Sequence, residues 1–315
     1  MFCKRGFSMH TTVKSFCSSS YLTTIPLPSK RETHMWYITP DELKDASLID
    51  QYLNVLSPSE KENVIRLPGD KLQRSAILAR TLVRTTLARY TNSVVSPSLF
   101  KFRKNNFGKP EVDWQCDKNW KPPPLHFNLS HTSSLIACGV TVDMPIGIDV
   151  EEKQRKTRNN LSSLARRFFT LDEVDYLNTI SNPEIQRQEF IKLWTLKEAY
   201  VKALGKGFSA APFNTFTIRF RGTSRLSLQK CGHSNSEESE IIVETLAEPK
   251  NVTTNWRFAL LELASSHYVA ICVENKRIKG VENDPPLLKV WKTVPFIKDE
   301  LLSETDSVRT ISSFV

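Results

Sequence analysis

Ile146-Gly147-Ile148-Asp149-Val150-Glu151 alternates apolar with small or acidic residues, the period-two pattern of a β-strand. On a strand, Ile146, Ile148 and Val150 share one face while Gly147, Asp149 and Glu151 share the other. Asp149 and Glu151 then stand about 6–7 Å apart along the strand axis, and the missing side chain of Gly147 leaves room above the backbone. Two carboxylates aimed into one space repel unless they are protonated or bridged by a cation, and a hard divalent ion such as Mg²⁺ suits oxygen ligands. An ordinary edge strand with a solvated acidic face produces the same alternation.

Working outward, Met144-Pro145 turns the chain into this strand, and residues 126–129 and 135–142 read as two strands before it. Residues 35–39 form an opening strand, a helical region follows from 41, and Ser57 or Ser59 caps a second helix. Residues 71–90 form a longer helix, with Leu72, Ala76, Ala79, Val83 and Leu87 as its buried stripe and Lys71 and Arg74 on its outer face. Residues 97–124, which contain Gly108-Lys109-Pro110 and three consecutive prolines, read as a loop. Downstream, a basic linker at 153–160 leads to helices over 161–180, interrupted by a cap near Thr170, and over 183–204, closed by Gly205. Strands follow at 213–220, 226–229, 241–246, 256–263 and 268–274. The order strand, helices, strands thus occurs in 35–145 and again in 146–275, which predicts an α+β fold of two similar lobes packed face to face. Residues 276–315 are charged and aperiodic, and a weakly anchored tail is expected there.

Two further segments hold polar residues where local structure prefers apolar ones. In Trp194-Thr-Leu-Lys197-Glu198-Ala-Tyr-Val-Lys202-Ala-Leu-Gly205, helical spacing sets Glu198 beside Lys202. Such a pair either decorates a surface or supplies a third oxygen ligand next to a fixed cation, a combination that suits a metal-bound phosphate. Trp194 by itself reads as core. In Phe127-Asn-Leu-Ser130-His131, a hydroxyl and an imidazole at a strand end are competent phosphate ligands. No Gly-x-Ser-x-Gly elbow surrounds a serine, which argues against a nucleophilic triad.

Gly108-Lys109-Pro110, Phe127-Asn-Leu-Ser-His131, Ile146-Gly-Ile-Asp-Val-Glu151 and Trp194-x-x-Lys-Glu-Ala-x-x-Lys-Ala-x-Gly205, in that order, resemble the Sfp-type 4′-phosphopantetheinyl transferases over residues 36–275. The resemblance implies the pseudo-dimeric fold of that family and transfer of the phosphopantetheine arm of coenzyme A to a serine of an apo acyl- or peptidyl-carrier protein, with release of 3′,5′-ADP. It further implies that Asp149, Glu151 and Glu198 hold Mg²⁺, or Mn²⁺, against the pyrophosphate, and that Glu198 or a metal-bound water takes the serine proton. Lys202 would contact the phosphate under attack, Ser130 and His131 the phosphates of the nucleotide end, and Lys109 the same ligand from its loop. Lys71 and Arg74 are the first-lobe candidates for the basic grip on the nucleotide. Family habit implies a monomer.

Composition bounds the remaining possibilities. Of 315 residues, 43 are Lys or Arg and 34 Asp or Glu, a formal charge of +9. Lys4, Arg5, Lys14, Lys30 and Arg31 contribute to that excess before the first acid, Glu32, so the charge concentrates in a leader rather than marking a nucleic-acid-binding face. Residues 1–34, rich in Ser and Thr and lacking a secretory apolar core, read as an organellar transit peptide or a disordered leader. That points to the mitochondrial matrix, with plastid stroma or cytosol as alternatives. The 6 cysteines form no C-x-x-C pair, which argues against a zinc site or a disulfide framework. No apolar run is long enough to cross a membrane. A catalytically silent relative would show a disrupted acid or lysine, and Asp149, Glu151, Glu198 and Lys202 are all present.

Overall fold

The computed structural model describes residues 22–115, 120–156, 160–221, 240–245, 255–275, 287–303 and 305–312. The first lobe contains β1 (Glu32–Ile38), α1 (Ala46–Leu53), α2 (Pro58–Ile65), α3 (Asp70–Arg89), a short hairpin of β2 (Phe102–Lys104) and β3 (Pro110–Val112), then β4 (Leu125–His131) and β5 (Ile136–Val142). The second contains β6 (Ile146–Glu152), α4 (Leu161–Phe168), α5 (Leu171–Thr179), α6 (Pro183–Leu204), β7 (Phe216–Arg221), β8 (Glu240–Thr245), β9 (Trp256–Leu263) and β10 (His267–Glu274). The chain closes with β11 (Leu287–Val294), β12 (Lys298–Leu301) and β13 (Val308–Thr310). Among the described residues one sheet has the order β12-β11-β1-β5-β4, a second has β13-β9-β10-β6, and β7 pairs with β8. The fold is α+β.

Local chemistry accounts for the helix ends. Ser57 caps α2 and Thr170 caps α5, each completing a capping box with the glutamate three residues on, Glu60 and Glu173. Asn182 caps α6, Pro183 opens it, and Gly205 closes it in the left-handed conformation at φ 65°. Inside the second lobe the Lys197 ammonium is fully buried, 2.9 Å from Glu173 and bonded to the carbonyls of Phe213 and Phe216. It anchors α6 to the capping glutamate of α5 and faces away from the cleft.

β6 lies between the lobes. Its Ile146, Ile148 and Val150 face packs on Met35, Tyr37 and Ala137 of the first-lobe sheet. Its other face lies directly on α6: a Cβ built on Gly147 would fall 2.0 Å from the Ala199 carbonyl oxygen and 2.3 Å from the Ala203 nitrogen. The room expected beside Gly147 is therefore filled by helix backbone. β6 is an edge strand, and two of its outward amides are satisfied by side chains of β4: Ile148 N–H donates to Asn128 Oδ1 (2.8 Å) and Val150 N–H to Ser130 Oγ (3.3 Å).

Four expectations need correction. Residues 287–310 are not a loose tail, because β11 pairs in parallel with β1 and β13 pairs with β9, so this segment joins both sheets. Trp291 stacks on Trp36 with centroids 4.6 Å apart, Arg89 lies 4.8 Å over Trp36, and Arg89 binds Asp299 at 2.6 Å. Residues 22–34 are not leader either: Leu22 and Ile25 pack on the first core, and β1 begins at Glu32. Residues 1–21 lie outside the described residues, as does the strand expected at 226–229. The segment 97–124 holds the β2–β3 hairpin. In α3 the stripe starts later than Leu72, which is 54% exposed, while Ile77, Leu78 and Leu82 are buried.

Gly147→Ala should force β6 off α6 and destabilise the protein by about 3 kcal/mol or more, read as a lowered urea midpoint, because the obstructing atoms are backbone. Trp291→Ala should cost about 3–5 kcal/mol by the same measurement. A change within about 0.5 kcal/mol would instead mean that the C-terminal strands are not part of the cooperative unit.

Candidate active site

The cleft between the lobes is a cavity of about 670 Å³. Ser130 and His131 reach it from β4, Asp149 and Glu151 from β6, Trp194, Glu198 and Lys202 from α6, and Arg155 from the chain after β6. Alternation along β6 and four-residue spacing along α6 explain why these side chains share one space: the Gly147 contact sets the acidic face of the strand on the helix.

Asp149 is buried, and its Oδ1 accepts from Lys202 Nζ (2.6 Å) and from Ser130 Oγ (2.9 Å). Lys202 Nζ also donates to Ser130 Oγ at 3.2 Å. The second oxygen, Asp149 Oδ2, is buried without a hydrogen-bond partner. Burial raises the Asp149 carboxyl above its ordinary pKa against the opposing pull of Lys202. Burial, with Asp149 beside it, pushes Glu151 up to about 7, and the same two causes raise Glu198. Glu151 is paired with Arg155. Burial and the nearby Lys202 lower His131, which favours its neutral imidazole.

Among the described residues, no group of three or more His, Cys, Asp and Glu side chains is arranged to hold a metal ion. The residues nevertheless fit a divalent cation: Asp149 raises the pKa of both Glu151 and Glu198, Glu198 raises that of Glu151, and one oxygen of Asp149 lacks any partner. A buried, unpaired carboxylate oxygen among like charges is a costly arrangement that a hard cation relieves.

Three residues expected at the ligand lie elsewhere. Lys109 Nζ donates to the backbone carbonyls of Ile146 (2.8 Å) and Lys202 (2.7 Å), and it is absent from the cleft lining. Lys71 is exposed near Glu152, at the rim rather than in the cavity. Arg74 is half-buried on α3, with Nη2 at 3.5 Å from the Pro40 carbonyl, and it too is outside the lining. The basic residues beside the cleft are Arg80 and Lys104, which line an adjoining, mainly apolar cavity of about 540 Å³. That cavity shares Leu129 and His131 with the cleft. Arg80 and Lys104 carry no local signal that separates them from surface cations, and Arg155, four residues after Glu151, was identifiable only as a helix-like i,i+4 partner in a segment read as linker.

Comparison with known proteins places this cleft in context. A family model described as the 4′-phosphopantetheinyl transferase superfamily matches residues 145–272, the segment that carries β6, α6 and β10. The chain is 33% identical over 179 residues to the 4′-phosphopantetheinyl transferase HetI of Nostoc sp., covering 56% of this chain and 70% of that protein. It is 28% identical over 180 residues to the 4′-phosphopantetheinyl transferase Sfp of Bacillus subtilis, covering 57% of this chain and 73% of that one. A solved holo-[acyl-carrier-protein] synthase of Thermotoga maritima aligns at 25% identity and a TM-score of 0.26, over 42% of this chain and 64% of that one. Together with the four motifs, the family model and the two relatives from Nostoc and Bacillus show that the chain belongs to the 4′-phosphopantetheinyl transferase superfamily, as an enzyme of its Sfp-type branch.

Proposed function

We propose that this enzyme transfers the 4′-phosphopantetheine arm of coenzyme A to a serine hydroxyl of an apo acyl- or peptidyl-carrier protein, in a Mg²⁺-dependent reaction that releases 3′,5′-ADP. The observation that carries the reading is the convergence on one cleft of carboxylates from β6 and α6, an ammonium from α6, and a hydroxyl and imidazole from β4. The serine oxygen forms a bond to the phosphorus that bears the pantetheine, and the bond from that phosphorus to 3′,5′-ADP breaks.

Asp149, Glu151 and Glu198 would hold the cation, which when bound neutralises the diphosphate oxygens and orients them for in-line displacement. Glu198, whose raised pKa brings it nearer neutrality, is placed to accept the serine proton. Lys202 is half-buried, and its ammonium holds Asp149 in the ligand-free chain. With ligand bound, the same ammonium is within reach of phosphate oxygens beside Ser130, where it compensates the charge on the group under attack. Ser130 and neutral His131 offer donors to the nucleotide phosphates, and Arg80 and Lys104 extend positive charge beyond them. The composition of residues 1–21, which hold Lys4, Arg5 and Lys14 and no acid, supports action in an organelle, the mitochondrial matrix before the plastid stroma.

The test uses the purified chain, a coenzyme A analogue with a fluorescent pantetheine arm, and an apo carrier protein. Transfer should require Mg²⁺ or Mn²⁺ and stop on chelation. Asp149→Ala and Glu198→Ala should each lower the rate at least about 100-fold while the far-ultraviolet circular dichroism stays unchanged. Undiminished transfer by either variant, or transfer in excess chelator, overturns the assignment.

A further inference from the structure

The side chain of Lys109 belongs to the first lobe, yet its ammonium ends between two backbone carbonyls of the second. One is Ile146 O (2.8 Å), at the start of β6, and the other is Lys202 O (2.7 Å), in the last turn of α6. These elements carry Asp149 and Glu151 on one side of the cleft and Glu198 and Lys202 on the other. Lys202 O lies beyond the regular helical ladder and otherwise accepts only a shared bond from Gly205 N–H at 3.2 Å, and the negative end of the α6 dipole is there as well. A cation at that point stabilises the helix end, while its second bond fixes where β6 begins.

The turn that presents Lys109 is itself built for this placement. Asn105 Oδ1 accepts from the backbone N–H of Phe107 and of Lys109, and Gly108 supplies a left-handed φ of 90°. Asn105 Nδ2 then donates to Gly205 O (3.0 Å), the residue that caps α6. A Cβ on Gly205 would stand 3.3 Å from both Asn105 Nδ2 and Lys109 Cδ, so hairpin and helix end are in close contact. Among the described residues Lys109 has no carboxylate within ion-pair distance, and burial lowers its pKa to about 8. A lysine kept there is costly unless the carbonyls it bridges need it.

We infer that Lys109 is a positioning residue for the transfer reaction: by tying the first residue of β6 to the last turn of α6 it sets the distance between the carboxylates of the strand and Glu198 and Lys202, without touching coenzyme A. The inference rests on the proposed transferase reading. It is specific to this side chain, since the other bond from the hairpin to α6, made by Asn105, does not reach β6.

The test measures kcat, the KM for coenzyme A, and coenzyme A affinity by calorimetry, for the wild-type chain, Lys109→Met, Lys109→Arg and Leu82→Ala. Leu82 is fully buried in the first core, away from the cleft, and provides a control for general loss of stability. Lys109→Met should lower kcat roughly 100-fold, the scale of a misplacement of about an ångström, with KM and the dissociation constant within about threefold of wild type. Lys109→Arg, which keeps the charge and donors, should recover most of kcat. Leu82→Ala should melt earlier yet retain its kcat at a temperature where it is folded. A loss of coenzyme A affinity of about 30-fold or more in Lys109→Met would make Lys109 a ligand contact and overturn the inference. So would an unchanged kcat in Lys109→Met, or an equal fall in Leu82→Ala. A wild-type chain that binds coenzyme A but transfers nothing would instead refute the transferase reading on which the inference stands.

Discussion

The contact of β6 with α6 through Gly147 is the constraint from which the cleft follows. With a Cβ 2.0 Å from the Ala199 oxygen excluded, only a glycine allows the strand backbone to lie on the helix backbone. That closeness gives Asp149, two residues on, to Lys202 at 2.6 Å, and sets Glu198 near enough to Glu151 to raise its pKa. An ordinary strand–helix packing, with side chains interleaved, would hold the backbones about 10 Å apart and leave the two acidic elements unable to share one small ion.

The remaining architecture acts on that contact from three directions. β4 supplies Asn128 and Ser130 to the outward amides of β6, so an edge strand that would otherwise present free N–H groups is locked to the first lobe. The β2–β3 hairpin brings Lys109 to the carbonyls at one end of the same strand and helix. The C-terminal strands β11 and β13 join one sheet each, which fastens the lobes from behind. Ser130 serves twice, as acceptor for Val150 N–H and donor to Asp149, so the first lobe reads the position of the acidic strand through the residue that also faces the cleft.

What was legible in the sequence was what local physics determines. The alternation of 146–151 gave a strand with the right faces, and the cap, proline and glycine of α6 gave its ends, because period and capping are short-range properties. The acids on β6 and the Glu198–Lys202 pair could be brought together on paper for the same reason. The C-terminal strands were hidden because Lys289 and Lys292 interrupt their apolar residues; those lysines pair with Glu32 and Glu42, partners more than 200 residues away. The placement of Lys109 is not local: a lysine in a glycine-proline turn has no partner nearby in sequence, and only tertiary structure brings its ammonium to two carbonyls. Lys197 is the converse: it adjoins Glu198 in sequence but points into the core of the second lobe, one helical step away from the chemistry.

The most direct measurement is a crystal structure of the chain soaked with Mn²⁺ and coenzyme A, with the metal located by its anomalous signal. The account predicts a single peak in the cleft, touched by carboxylates from both β6 and α6 and by the diphosphate. A peak held by one element alone, or located away from Asp149 while coenzyme A is bound, would contradict it.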